Sequence, residues 1–340
     1  MTHVIAGAGP AGLVAAIGLL LRGQAVRVFE RASAATFVSD AGGAYELTAR
    51  TLQLLEQLGA RERVLANGTQ LRRFRLCDRR GAPIQTLDFA AAGFTVFSIT
   101  RAQLQRALLD RFESLGGSVT HEATPNAADG WLIGADGIHS AVRRAHFDPR
   151  PPVDLGLCAY WGRSGHAVEV GESFGFLAPG RSFVMAGTER GTLWTACVRG
   201  EDTDLAAVFA DFPSRVTEHL GGVRSATRIL EQHPLRSFTL GQTVLIGDAA
   251  HGMAPFLGLG ANSAIEDAHM LASLLPDANA AAAFGRRRAR KLNAAIAQSR
   301  RLGAMMHSSN RFLHAAFLLV TRCVPPWLVL RQIRSQHGWR

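Results

Sequence analysis

Residues 2–30 read T-H-V-I-A-G-A-G-P-A-G-L-V-A-A-I-G-L-L-L-R-G-Q-A-V-R-V-F-E. A short apolar run at 4–6 leads into Gly7, Gly9 and Gly12, and an apolar stretch follows at 13–21. Gly23 punctuates, and a second apolar run at 25–29 ends at Glu30. The pattern is strand, glycine turn, helix, strand, compact enough for one right-handed crossover unit. In such a unit the first glycine permits the tight turn. The second lets the backbone approach a pyrophosphate, and the third lets helix and strand pack closely. The phosphates lie at a helix N-terminus, where free N–H groups and the dipole favour negative charge. Glu30 stands eighteen residues after Gly12, placed to accept hydrogen bonds from ribose hydroxyls. By itself this unit fits NAD and FAD equally.

At 340 residues the chain can bury a sizeable core, as one large domain or two intertwined ones. Its four cysteines, Cys77, Cys158, Cys197 and Cys323, are far apart, which suggests neither a zinc site nor a disulfide framework. No basic leader precedes the first strand, so a secretory signal is not expected and a reducing cytoplasm fits. The net charge of +10 suggests nucleic acid until its distribution is read. Residues 285–340 carry 12 Lys plus Arg and no acid, and the rest carries 25 basic and 27 acidic groups. A near-neutral body with a basic tail does not point to a nucleic-acid partner.

Helical spacing is expected at 50–59, 101–115 and 263–275, and two strands around a turn at 71–86. Alternation with glycine punctuation over 153–198 suggests an antiparallel sheet, and 243–246 a buried strand. Residues 284–340 read as mostly helical, broken at Pro325 and Pro326. The expected organisation is α/β. A Rossmann-like dinucleotide-binding domain (1–70, 101–150 and 236–285) is expected to interleave with an antiparallel-sheet substrate domain (71–100 and 151–235), followed by C-terminal helices (286–340).

Two further stretches decide the cofactor. Residues 133–143 read I-G-A-D-G-I-H-S-A-V-R, and 245–262 read L-I-G-D-A-A-H-G-M-A-P-F-L-G-L-G-A-N. With the N-terminal glycines, in this order, they resemble the three fingerprints of the single-component (class A) FAD-dependent monooxygenases, the p-hydroxybenzoate-hydroxylase-like family. Gly42 to Leu47, Ile99-Thr100-Arg101 and Pro255-Phe256 bring the resemblance nearest to the tetracycline-inactivating branch.

The resemblance implies a cofactor site made by Gly7, Gly9, Ala11, Gly12, Glu30, Arg31, Arg101, Asp136, Asp248, Pro255, Gly260, Ala261 and Asn262. Asp248 stands where the family holds the ribityl and pyrophosphate region. The loop from Pro255 through Gly258 and Gly260 shapes the flavin site, its backbone N–H groups aimed at flavin N1 and O2. Arg143 is either a support for the pyrophosphates or a surface ion pair, and His251 a structural residue. No side chain is expected to be the catalyst. NADH or NADPH reduces FAD on a transient visit, and a C4a-(hydro)peroxide passes one oxygen atom from O2 to an aromatic, polycyclic or enolic substrate. Candidate substrate walls are Trp161, Phe174, Phe176, Phe183, Trp194 and Phe256.

Oxidase, desaturase or halogenase chemistry on the same scaffold is the alternative, as is a flavoprotein that merely sequesters a ligand. The halogenase W-x-W-x-I-P motif is absent, and the single lysine, Lys291, lies in the tail. The family's usual hairpin between 117 and 133 is shortened here. The tail is expected to pack on the body, with contact to an anionic membrane surface as the lesser expectation.

Overall fold

The computed structural model describes residues 1–37, 42–125, 129–201 and 204–336. Its centre is a six-stranded sheet. In spatial order the strands are Thr239–Leu240, Thr243–Leu245, Leu132–Gly134, Thr2–Ala6, Ala25–Glu30 and Val119–His121. All neighbours run parallel except the first pair. Ile5 lies between Val28 and Ile133, and Ile133 pairs with Val244. All four are essentially inaccessible, as expected when helices cover both faces of a parallel sheet.

Pro10 opens the helix Pro10–Leu20 at a position where its missing N–H costs nothing. That helix packs on Gly260–Leu274 so closely that a methyl on Gly18 would meet Ala272 Cβ at 2.7 Å. The helix Arg101–Ser114 begins with a capping box in which Thr100 and Gln103 satisfy each other's backbone N–H. The expected helices and strands at 50–59, 71–86, 101–115 and 243–246 are present, and the third expected helix starts earlier, at Gly260. No strand lies between Val119–His121 and Leu132–Gly134 among the described residues.

The second layer is a seven-stranded sheet, ordered Val223–Glu231, Val153–Ser164, Gly191–Arg199, Arg181–Thr188, Glu172–Ala178, Arg73–Asp78 and Pro83–Asp88. One face carries Tyr160, Phe174, Phe176, Phe183, Met185 and Trp194 under the segment holding Phe209 and Phe212. The opposite face looks back at the nucleotide half. A three-stranded sheet of Ala44–Thr48, Val96–Thr100 and Thr69–Leu71 joins the halves, so the expected boundaries at 71 and 100 fall within it.

The helices Ala278–Met306, Arg311–Cys323 and Pro326–Gln336 complete the chain. Among the described residues no single helix is long and apolar enough to cross a membrane; the last two are so only as a pair, and they meet at 92°. Arg311–Cys323 packs one face on the body, with His314 buried. Its outer face leaves Phe312, Leu319 and Val320 at 87%, 63% and 62% exposure.

Candidate active site

One cavity of about 1490 Å³ runs from the glycine turn to the inner face of the seven-stranded sheet. That exceeds the roughly 300–1,000 Å³ of a single small-ligand pocket, leaving room for a dinucleotide and a substrate together.

At the nucleotide end the three glycines do different work. Gly7 has φ of +97°, and a Cβ there would meet Ala135 O at 2.3 Å. A Cβ on Gly12 would meet Gly7 O at 1.9 Å. A Cβ on Gly9, by contrast, would meet no atom within 4 Å, so the space above the first turn of Pro10–Leu20 is open. The Glu30 carboxylate is fixed beside the turn by Ala8 N–H at 3.0 Å and Ala32 N–H at 2.9 Å. A carboxylate has about four acceptor positions, so two remain for ribose hydroxyls.

Asp136 Oδ2 caps the helix Ala141–His146 by accepting from Ala141 N–H (2.7 Å) and Val142 N–H (3.2 Å). Its Oδ1 is buried with no partner among the described residues, an acceptor awaiting a donor from the cavity. Asp248 opens the helix Asp248–His251 after Gly247, whose φ of +59° turns the chain back. Asp248 and Arg101 both line the cavity and both charges reach the Tyr45 hydroxyl. Burial, aided by Asp248 and opposed by Arg101, holds that hydroxyl above the ordinary phenol range. Ala11 and Arg31 also border the cavity.

The loop is a 3-10 turn, Pro255–Leu257, followed by Gly258 at φ +63° and the helix Gly260–Leu274. First-turn N–H groups have no partner within a helix, so those of Gly260, Ala261 and Asn262 are available to an anion. The Asn262 side chain is committed elsewhere. Its Oδ1 accepts from Thr48 N–H (3.1 Å) and Thr51 Oγ1 (2.6 Å), and its Nδ2 donates to Glu46 O (2.8 Å) and Gly258 O (3.0 Å). Open space at Gly9, the orphaned Asp136 oxygen, and the Glu30 carboxylate together fit an FAD molecule.

The substrate end differs from expectation. Of the six aromatic side chains, Trp161 and Phe256 border the cavity, Trp161 against Gly43 and Phe256 against Gly303 and 5.0 Å from His307. Phe174, Phe176 and Phe183 do not. They are core residues of the far face, with Phe183 stacked 5.6 Å from Trp194 and 5.9 Å from Phe209. Trp194 touches the cavity edge but lays its ring over Gly162. The cavity-facing rows of the sheet instead hold Leu76, Val184, Leu193 and Thr195. Glu46 and Ser98, which no sequence motif marks as site residues, also line the cavity.

Arg143 is neither expected thing. It is 1% exposed and donates to the carbonyls of Ala249 (3.2 Å), Ala250 (3.0 Å) and His233 (2.5 Å), bracing the Asp248–His251 segment from behind. Its charge is answered by Asp148 at 3.6 Å. His251 is structural: Nε2 lies 2.6 Å from Asp267 Oδ2, and Arg288 Nε donates to Asp267 Oδ1 at 2.5 Å. Burial would raise the Asp267 carboxyl, but Arg288 and His251 outweigh it and hold it below the usual range.

Comparison with known proteins agrees with this geometry. The family model described as FAD binding domain matches residues 1–130 and 214–306. A 3-amino-4-hydroxybenzoate 2-monooxygenase of Streptomyces platensis is 30% identical, covering 81% of this chain and 81% of the relative. The aurachin C monooxygenase/isomerase of Stigmatella aurantiaca is 29% identical over 92% of this chain and 91% of the relative. Among solved structures, Klebsiella pneumoniae HpxO with FAD and uric acid superposes with a TM-score of 0.86 at 21% identity, covering 100% of this chain and 97% of that one. The tetracycline destructase Tet(51) gives 0.65 at 20% identity, covering 95% and 98%. The chain belongs to the FAD binding domain family and is an FAD-dependent monooxygenase.

Proposed function

We propose that the protein hydroxylates a small aromatic or enolic molecule held in the apolar end of the cavity, using NADH or NADPH as a visiting reductant. The observation that carries this reading is the continuity of the cavity. One space joins the pyrophosphate turn to the inner face of the sheet, so cofactor and substrate share a wall. Bound FAD supplies the hydride acceptor and the activation of oxygen. Gly9, Glu30, Asp136, Arg101 and Asp248 hold and orient its polar parts. The N–H groups of Gly260, Ala261 and Asn262 stabilise negative charge at the loop. Trp161, Val184 and Leu193 exclude water from the substrate end.

The test follows NADH and NADPH oxidation by the FAD-loaded protein with a panel of aminophenols, hydroxyquinolones and polycyclic phenols. Stimulated oxygen uptake with a product 16 mass units heavier, one oxygen atom, is expected for at least one member. FAD that neither nicotinamide reduces across the panel would overturn the assignment.

We place the enzyme in the cytoplasm, where its nicotinamide reductant resides and its unpaired cysteines stay reduced. One observation favours contact with a membrane surface. Phe312, Ala316, Leu319 and Cys323 follow one another at helical spacing on the exposed side of Arg311–Cys323, flanked by Arg311 and Arg322. An apolar stripe edged with arginine suits an anionic bilayer surface. Failure to co-sediment with anionic vesicles at low salt ends that reading.

A further inference from the structure

Glu46 sits in the middle of the strand Ala44–Thr48. Alternation turns Leu47 into the nucleotide-half core and Glu46 onto the cavity wall. Directly across the ladder stands Ser98. Opposed side chains on one face begin about 4.5–5.5 Å apart, so the carboxylate and the hydroxyl address the same volume. Ser98 is 2% exposed and its hydroxyl has no partner among the described residues. Glu46 has no side-chain hydrogen bond or ion pair there either. Its backbone carbonyl accepts from Asn262 Nδ2 at 2.8 Å, and the same amide donates to Gly258 O. The strand is thereby tied to the loop at Gly258, and Glu46 and that loop line the same cavity.

Buried polar groups are normally paired, because an unpaired one forfeits its hydration for nothing. The buried, orphaned Ser98 hydroxyl, beside a Glu46 carboxylate that is exposed to the cavity, therefore describes a partner that enters from the cavity. The partner's chemistry follows: it offers an acidic O–H to the carboxylate and an acceptor or donor to the hydroxyl.

We propose that Glu46 is the proton acceptor for the substrate, taking the hydrogen of a phenolic or enolic O–H while Ser98 makes the second polar contact. This rests on the monooxygenase reading and names its substrate class. In the step, the substrate O–H bond breaks and the proton bonds to a Glu46 oxygen. The electron pair stays on the substrate oxygen, and the resulting phenolate or enolate is richer in electrons at the carbons conjugated to it. That is the state suited to attack by an electrophilic oxygen atom.

The surroundings tune the acid for this work. The Glu46 side chain opens onto the cavity, yet its depth within the protein raises the carboxyl to about 7, opposed only by its own backbone N–H. The strands Val96–Thr100 and Thr69–Leu71 and residues 255–262 contribute no ionisable side chain. Tyr45 is the other titratable group on its own strand, and the charges of Arg101 and Asp248 act on Tyr45. A base poised near neutrality is at its most effective at neutral pH.

The experiment uses the FAD-loaded protein, its Glu46→Gln and Ser98→Ala variants, and two probes: 4-cyanophenol and its methyl ether. Dissociation constants come from the change in flavin absorbance. The wild type should prefer the phenol by about tenfold or more, the worth of one charge-assisted hydrogen bond. Glu46→Gln should lose most of that preference without weakening the ether, and Ser98→Ala should lose part of it. For the best substrate of the turnover panel, kcat/KM should fall on the acid side of about 7 in the wild type. Glu46→Gln should flatten that limb. Equal binding of phenol and ether by the wild type, or an unchanged acid limb in Glu46→Gln, would overturn the role of Glu46 while leaving the monooxygenase reading standing. Failure of both probes to perturb the flavin, together with a panel that never stimulates oxygen uptake, would overturn the reading beneath it. If Glu46→Gln fails to retain FAD, Ser98→Ala alone decides, through the same preference ratio.

Discussion

Gly9 and Gly12 lie three residues apart in one turn, yet the structure gives them opposite liabilities. Gly9 has φ −63° and ψ 178°, a conformation open to any residue, and a methyl there meets no atom within 4 Å. Gly9→Ala should therefore leave the FAD-stripped fold intact. It should even gain about 0.4–1 kcal/mol from the reduced freedom of the unfolded chain. The same methyl stands where a phosphate must approach the helix N-terminus. Losing one charge-assisted hydrogen bond costs about 1.5–3 kcal/mol, or roughly ten- to a hundred-fold in FAD affinity. Gly12→Ala puts its Cβ 1.9 Å from Gly7 O, a backbone atom that cannot step aside without opening the turn. That overpacking should cost about 1–3 kcal/mol before any cofactor is added. Denaturant melts of both stripped variants, with FAD titrations followed by flavin fluorescence, separate the effects. Wild-type FAD affinity in Gly9→Ala would refute the placement of the phosphates. A stripped Gly9→Ala protein less stable than wild type would refute the claim that the space is free.

His307 is buried between Ser182 Oγ at 2.9 Å and Gly303 O at 3.1 Å, and burial lowers its pKa from 6.5 to about 4. The folded state then binds fewer protons than the unfolded chain. The stability gained from a neutral ring is complete above about 6.5 and is lost as pH falls toward about 4. It amounts to about 3 kcal/mol. Urea melts from pH 4 to 7 should show this slope in the wild type and a shallower one in His307→Gln; parallel slopes would refute it. Arg288→Ala leaves Asp267 buried with His251 as its remaining partner. Such a break costs about 3–5 kcal/mol, so a change in denaturation midpoint worth less than 1 kcal/mol would contradict the buried network.

How much of this was legible in the sequence depends on how local each signal is. The strand–turn–helix at 2–20 and the acid at Glu30 are set by neighbours in the chain, and they occupy their expected places. The faces of the seven-stranded sheet were not readable. Glu172–Ala178 is buried at every position because helices cover one side and the cavity walls the other, so alternation carried no information. Phe174 and Phe176 therefore looked like walls when they are core. Arg143 carried no local mark of burial. Its acceptors at Ala249, Ala250 and His233 are remote in sequence, and the fold alone brings their carbonyls together. Glu46 had one available sign: a lone carboxylate at a period-two position between Ala44 and Thr48, in a strand whose alternate residues are core.

The Asn262 amide ties two walls of the cavity together. It clasps the strand of Glu46, the start of the helix Ala49–Gln57 and the loop at Gly258 with four hydrogen bonds from a single side chain. A cofactor that orders this loop also fixes the strand that meets the substrate, and a substrate that fixes the strand also orders the loop. Linkage makes the exchange symmetrical: whatever factor FAD adds to the affinity for substrate, substrate adds to the affinity for FAD. Any such cooperation would have to pass through one uncharged side chain whose amide atoms are already committed to the protein.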